Sequence, residues 1–181
     1  TLEESGLLGS AYLAENPPFD LADVVAGFNF DRVLPTGKTK DMAVIGYGAS
    51  ELEDYLEEEL EKQGRYINPD PNPEKGYFYR SDHISFAKKG VPVLYSDDGF
   101  DLVEGGIEEG FNEIYDYTNF RYHGVNDEYD PSWNLEGFEQ TIDTIFNISF
   151  KLSNSSEWPN WYEGNEFRAI RDAQISSKNT P

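Results

Sequence analysis

The sequence predicts an α/β sandwich, and three observations carry that prediction. Short apolar runs with strand character recur at residues 23–31, 42–47 and 91–95. Stretches with helical apolar spacing alternate with them, at 5–15, 50–63 and 134–152. Turn and capping residues mark most of the boundaries between the two kinds of segment. Strands alternating with helices bury one face of each layer against the next, which is the logic of an α/β sandwich. A chain of 181 residues with 38 % hydrophobic and 15 % aromatic content is one domain, large enough to bury a core.

The elements are justified in order. Residues 5–15 read as a helix with Leu7, Leu8, Ala11 and Tyr12 on one side, stopped by Asn16-Pro17-Pro18. The run 23–31 is mostly apolar and reads as a strand buried on both faces. Residues 35–39 turn the chain, and 42–47 form a second buried strand. Ser50 with Glu53 makes a capping box. The helix it opens has Leu52, Tyr55, Leu56 and Leu60 as its apolar stripe, Glu57–Glu59 and Glu61 as its solvated face, and Gly64 as its end. Asn68 to Pro73 alternates proline with polar residues and predicts a rigid loop. Ser81 or Asp82 caps a short helix that carries Phe86 and ends at Lys88-Lys89-Gly90. A third strand covers 91–95. Residues 96–130, rich in Gly, Asp and aromatics, predict a long functional loop. Asn134 caps a long helix with Leu135, Phe138, Ile142, Ile145 and Leu152 as its buried stripe. A last helix runs from 163 to about 176, and the tail beyond it frays.

Charge and composition exclude several partners. The net charge is −21, from 35 acidic and 14 basic residues. Nucleic acid and anionic membrane are therefore not expected as partners, since both require basic patches. Acidity of this strength suggests a saline setting, or a solvated surface with no special role. The absence of cysteine excludes disulfides and thiolate metal sites. No run is long and apolar enough to span a membrane, and no signal peptide is visible.

The residues with chemical potential are few. Glu3-Glu4 stands before a small-residue turn and an apolar run. Where a strand gives way to a helix, adjacent carboxylates point in different directions, so one can bind a metal while the other moves a proton. Taken alone, such a pair is more often solvated surface. The two histidines, His83 and His123, both lie in polar turns near acidic residues. A single histidine is more often a satisfied polar side chain than a ligand. Asp31 ends a strand-like run.

In their order, these segments resemble a known family. The segments are Glu3-Glu4-Ser5-Gly6-Leu7-Leu8-Gly9-Ser10, Asn29-Phe30-Asp31, Arg80-Ser81-Asp82-His83 with Phe86, Gly90-Val91-Pro92, and Tyr122-His123 with Asp127. Together they are similar to the co-catalytic di-zinc aminopeptidases of the bacterial leucyl aminopeptidase type, whose relatives include glutamate carboxypeptidases and animal glutaminyl cyclases. The ending Glu157-Trp158-Pro159-Asn160-Trp161-Tyr162 resembles one bacterial branch. The resemblance implies a three-layer, phosphorylase/hydrolase-like zinc-peptidase fold with a central mixed, mainly parallel sheet that lacks the family's N-terminal strands. Residues 1–181 would be one partial catalytic domain and 154–181 a C-terminal extension.

The resemblance also implies roles. Glu3 would be the general base, Glu4 and His123 would bind one zinc, and Asp31 would bind the second. Asp82, His83 and Asp127 would orient ligands or substrate beside the metal centre. Two Zn²⁺ ions are implied for the intact enzyme, but the family's His-x-Asp motif and bridging aspartate are not found in this sequence. The expected object is thus a C-terminal fragment with an incomplete site, completed by a second copy (a homodimer) or by a missing N-terminal segment. The implied reaction is hydrolysis of N-terminal peptide bonds, with peptides and divalent metal ions as partners, in a secreted or periplasmic location. Two alternatives stay open. One is a non-catalytic, cation- or partner-binding relic, as in the transferrin-receptor ectodomain. The other is a glutaminyl cyclase-like acyltransferase.

Overall fold

The computed structural model describes residues 1–178, so part of the tail expected to fray lies outside the described residues. Four strands form one mixed sheet in the order β1-β4-β2-β3. They are β1 (Gly27–Asn29), β2 (Asp41–Val44), β3 (Tyr66–Pro69) and β4 (Val93–Asp98). β1 runs parallel to β4 with Phe28 opposite Leu94, and β2 runs parallel to β3 with Met42 opposite Ile67. β2 and β4 are antiparallel, with Ala43 opposite Asp97. Two of the three pairings are parallel, so the sheet is mixed and mainly parallel, and helices flank it in the expected three-layer arrangement.

The helices among the described residues are α1 (Leu8–Glu15), α2 (Leu52–Lys62), α3 (His83–Ala87), α4 (Gly106–Phe120), α5 (Glu136–Ser153) and α6 (Arg168–Lys178). On one side of the sheet, Met42, Val44 and Leu94 pack against Leu52, Leu56 and Leu60 of α2 and Ile148 and Leu152 of α5. On the other, Val91 and Val93 pack with Ile84 and Ala87 of α3 and with Trp161 and Phe167 near α6. Trp161 is fully buried and its indole N–H donates to the Gly90 carbonyl at 3.1 Å.

Buried polar groups lock the sheet to its neighbours. The Arg65 guanidinium donates to the Thr39 and Asp41 carbonyls, to Gln63, and to the hydroxyls of Thr39 and Thr144. Burial lowers its pKa to about 10, which still leaves it charged. The buried Asp41 carboxylate accepts from Asn68 and from the backbone N–H groups of Phe100 and Asp101. This requires glycine at position 99, where a Cβ would stand 2.0 Å from Asp41 Oδ1.

Several expectations need correction. α1 begins at Leu8 because Leu7 adopts a left-handed conformation, φ 61°, that a helix cannot contain. Its buried residues are Ser10 and Ala14, while Leu8 and Tyr12 are exposed. The run 23–31 supplies only a three-residue strand, preceded by a 3₁₀ turn at Leu21–Asp23. Part of the proline-rich loop is strand β3, and its Pro69 is the last residue of a sheet-edge strand, where the missing donor is tolerated. The long loop contains the fifteen-residue helix α4. Glu59 is buried and accepts from Lys62, Gln63 and Asn147, so it is no part of a solvated face. The cap of α2 is half a capping box. Glu53 accepts from the backbone N–H groups of Gly48, Ala49 and Ser50, but the Ser50 hydroxyl has no partner. Asp82 occupies the N-cap position of α3, as one of the two expected residues, but its side chain makes no capping hydrogen bond. In α5 the buried residues are Gly137, Thr141, Thr144, Ile148 and Leu152, whereas Leu135 and Ile142 face outward.

Candidate active site

The chemistry-bearing residues gather at the carboxyl end of β1. Glu3 and Glu4 lie in the turn before α1, held by N–H donations from Gly6 and Leu7 to the Glu3 carbonyl at 3.0 and 2.9 Å. The first residue packs on α1 because Gly9 has no Cβ; an added one would lie 2.1 Å from the Thr1 carbonyl oxygen. The Ser10 and Ser85 hydroxyls, 3.1 Å apart, tie α1 to α3. At the end of β1, Asn29 donates to the Ser81 hydroxyl at 3.0 Å and so brings the start of α3 beside Asp31. The Tyr95 hydroxyl, from the neighbouring β4, donates to Asp31 Oδ2 at 3.2 Å.

His123 follows α4 and reaches back across the molecule. Its Nε2 lies 2.6 Å from Glu4 Oε1, and both side chains are more than half exposed. The imidazole stacks on Tyr122 at 3.8 Å between ring centroids. His123 adopts a positive φ of 57°, a conformation uncommon outside glycine and found most often at sites with a specific geometric demand.

The electrostatics divide the groups by task. The Glu3 carboxyl is held above the ordinary carboxylate range, first by partial burial and then by the charges of Asp31, Glu4 and Asp82, with His123 opposing. Glu3 therefore shares one field with four of the other expected site residues. His83 is buried between the rings of Phe78 and Tyr95, 4.8 and 4.6 Å away. Burial lowers its pKa to about 4, against the opposing influence of the Phe78 backbone and the Asp31 and Asp82 charges, so it is neutral at pH 7. Neither of its ring nitrogens has a well-formed hydrogen bond, and Asp82 Oδ1 is likewise buried without a partner. Asp127 stands apart from this group and accepts from the Tyr117 hydroxyl at 3.2 Å. Both line a cavity of about 160 Å³ that also touches Asp31, Arg121, Trp133 and Phe138.

Glu3, Glu4, Asp31, Asp82, His83 and His123 thus form one neighbourhood. Sequence reasoning missed Tyr95, which holds Asp31, and the Arg32–Asp97 ion pair at 3.3 Å that closes the next position. An aromatic residue at the end of an apolar strand carries no signal for either role.

Carboxylate oxygen and imidazole nitrogen are the donor types zinc takes at about 2.0–2.2 Å. Glu4 and His123 converge as two such donors. Two donors on a tetrahedral ion lie about 3.3 Å apart, so the pair would open by less than 1 Å to admit one. The set fits zinc in kind and falls short in number. No group of three or more His, Asp or Glu side chains among the described residues is placed to hold a metal ion, and a catalytic zinc usually has three protein ligands. Among the described residues, no helix is long and apolar enough to cross a membrane.

No curated protein and no solved structure matches the chain. A protein-family model does, over residues 1–149, a span that takes in Glu3, Glu4, Asp31, Asp82, His83, His123 and Asp127 together. That match covers most of the chain and every residue of the candidate site, and it places the protein in peptidase family M28, whose peptidases are generally zinc-dependent.

Proposed function

We propose that this chain carries the base and part of the metal-binding set of a zinc-dependent aminopeptidase. The observation that carries the reading is the convergence of Glu4 and His123 at 2.6 Å beside a Glu3 whose proton affinity is raised. Glu4 and His123 would hold one zinc and Asp31 the second. Zinc, when bound, polarises a carbonyl and acidifies water. Glu3 would accept the proton of the attacking water and return it to the departing amine. Tyr95 holds the Asp31 carboxylate in one orientation, and neutral His83 packs behind it without adding charge. Asp82 and Asp127 would orient ligands or substrate.

Preference for a free N-terminus is supported by charge. The charges of Asp31, Glu4 and Asp82 all act on Glu3, and such a carboxylate group attracts the α-ammonium of a peptide. The shortage of donors supports a further part of the reading: the remaining ligands come from outside these residues, either from a preceding segment carrying the family's His-x-Asp and bridging aspartate or from a second copy.

Calorimetric zinc titration of the chain beside His123→Ala tests the pair. Binding that the substitution abolishes, with Glu3→Gln binding zinc normally but hydrolysing no aminoacyl-nitroanilide once the remaining ligands are restored, is the expected result. Turnover that survives Glu3→Gln would remove the proposed base. One observation favours a second reading, a non-catalytic relic: the described residues provide no three-donor group. Zinc binding indifferent to His123 would select it.

A further inference from the structure

The segment that follows β2 forms one wall of a second concave surface. Residues from 46–49, 70–79 and 165–167 bound a cleft of about 250 Å³, and no residue of the candidate site lines it. Its aromatic walls are Tyr47, Tyr77, Phe78 and Tyr79. Its carboxylates are Asp70 and Glu166, and no lysine or arginine lines it. Tyr47 and Tyr79 are 55 % and 56 % exposed, which leaves two large aromatic side chains half in water.

Local structure fixes what these walls present. Gly46 has φ 77°, and a Cβ there would stand 2.2 Å from the Phe78 ring, so only glycine lets that ring seat against the chain. Phe78 meets Tyr79 edge-on at 5.4 Å. The Gly48 and Ala49 N–H groups donate to Glu53, so they are not offered to a ligand. Asp70 Oδ1 accepts from the Asn72 N–H, and Glu166 Oε1 accepts from the Tyr79 hydroxyl, both at 2.8 Å. Each bond orients its carboxylate and engages one oxygen, whereas a carboxylate has about four acceptor sites. Lys75 and Arg80 stand over the Tyr77 ring at 5.8 and 5.7 Å. They take up that ring's attraction for cations and leave Tyr47 and Tyr79.

We propose that this cleft is a binding site for an organic monocation, a primary ammonium on an aromatic or alkyl body. The ammonium takes the remaining acceptor sites of Asp70 and Glu166 and the rings of Tyr47 and Tyr79, and the body lies against Phe78. A cation over an aromatic face gains about 0.5–2 kcal/mol, and its hydrogen bonds to carboxylate are about twice as strong as neutral ones. A neutral ligand forgoes both terms. An anion would meet two carboxylates with no cation in the wall.

The sequence supplies its own reporters. The chain has two histidines. His83 packs on the Phe78 ring at 4.8 Å, behind the cleft. His123 stacks on Tyr122 in the candidate site. A ligand against Phe78 therefore acts on the His83 imidazole, and a ligand among the candidate-site carboxylates acts on that of His123.

Titration of the full chain with phenethylammonium chloride, followed by the imidazole NMR signals, tests this. The His83 signal should shift with a dissociation constant of about 1 mM while that of His123 stays in place. Glu166→Gln and Tyr47→Ala should each weaken binding about fivefold. Phenethyl alcohol, the neutral analogue, should bind at least about tenfold more weakly. Glu61→Gln removes an equal charge from the exposed surface of α2 and should change the affinity less than about twofold. A shift of the His123 signal in place of that of His83 would put the ligand in the candidate site and overturn the proposal. So would equal losses in Glu61→Gln and Glu166→Gln, which would mean a general attraction to an acidic chain. Binding of the alcohol as tight as that of the ammonium, or no shift of His83 up to about 20 mM, would overturn it as well.

Discussion

Asp98, the last residue of β4, is a carboxyl group held where it resists ionisation. One oxygen accepts from the Thr141 hydroxyl at 3.0 Å, and the other is buried without a partner. Burial raises its pKa from 3.8 to about 6, Asp97 adds to the rise, and Thr141, the Leu34 N–H and Arg65 oppose it. A carboxyl whose folded pKa lies above its unfolded value stabilises the fold below the unfolded pKa. That contribution is lost as pH rises through the folded pKa. The shift, about two units at about 1.4 kcal/mol each, makes the ionised Asp98 cost about 3 kcal/mol at pH 7 relative to its protonated form. Roughly 2 kcal/mol of that change falls between pH 4.5 and 7.5. Asp98→Asn removes the titration and keeps an acceptor for Thr141. Urea unfolding of both proteins at the two pH values isolates the effect, because titrating groups not coupled to Asp98 cancel in the difference. The asparagine variant should gain about 2 kcal/mol on the wild type as pH rises from 4.5 to 7.5. A difference that does not change with pH would mean that Asp98 is solvated, or paired in a way that refutes the reasoning.

Two further outcomes follow from the core. Arg65→Ala removes the guanidinium donor from the Thr39 carbonyl, and one of the partners of the Asp41 carbonyl and the Thr144 hydroxyl, in the interior and should destabilise by about 2–4 kcal/mol, read as a lower urea midpoint; a shift under about 1 kcal/mol would show that water replaces the guanidinium. Trp161→Phe removes the hydrogen bond to the Gly90 carbonyl and part of a fully buried ring; the expected loss is about 1–3 kcal/mol by the same measurement, and no loss would mean that residues near α6 contribute little to the core around α3.

What could be read from the sequence follows a physical line. α2 was legible because Leu52, Leu56 and Leu60 are both its apolar residues and its buried ones. α5 misled because its apolar stripe is partly its outer face. The inner face carries Thr141 and Thr144, and Thr144 is needed there as a partner for buried Arg65. α4 misled because its apolar row is not its buried face: Ile107, Phe111 and Tyr115 are exposed, and its buried residue is Gly110, where a Cβ would meet the Phe100 carbonyl oxygen at 2.0 Å. β3 was hidden by Pro69, which only an edge strand can carry. In the candidate site, Glu3, Glu4, Asp31, Asp82, His83 and His123 were legible by residue type and order. The parts that hold them were not. The Tyr95–Asp31 hydrogen bond depends on the β1–β4 pairing, and the Glu4–His123 contact spans 119 positions in sequence.

The same topology explains why these residues meet. β1 and β4 run parallel and side by side, so their carboxyl ends open on one edge of the sheet. Ligands of α/β proteins bind outside the carboxyl ends of the strands, where neighbouring connections part. Asp31 leaves β1 there, and β4 ends there in Asp97 and Asp98. The starts of α1 and α3 bring Glu3, Glu4, Asp82 and His83 to it, and the end of α4 brings His123. Carboxylates crowded in one field repel, and the rise in the proton affinity of Glu3 is a direct result. Arg32 pairs with Asp97, buried His83 remains neutral, and His123 bonds to Glu4. On the proposed function, a divalent ion or the α-ammonium of a peptide would add positive charge to this group of carboxylates.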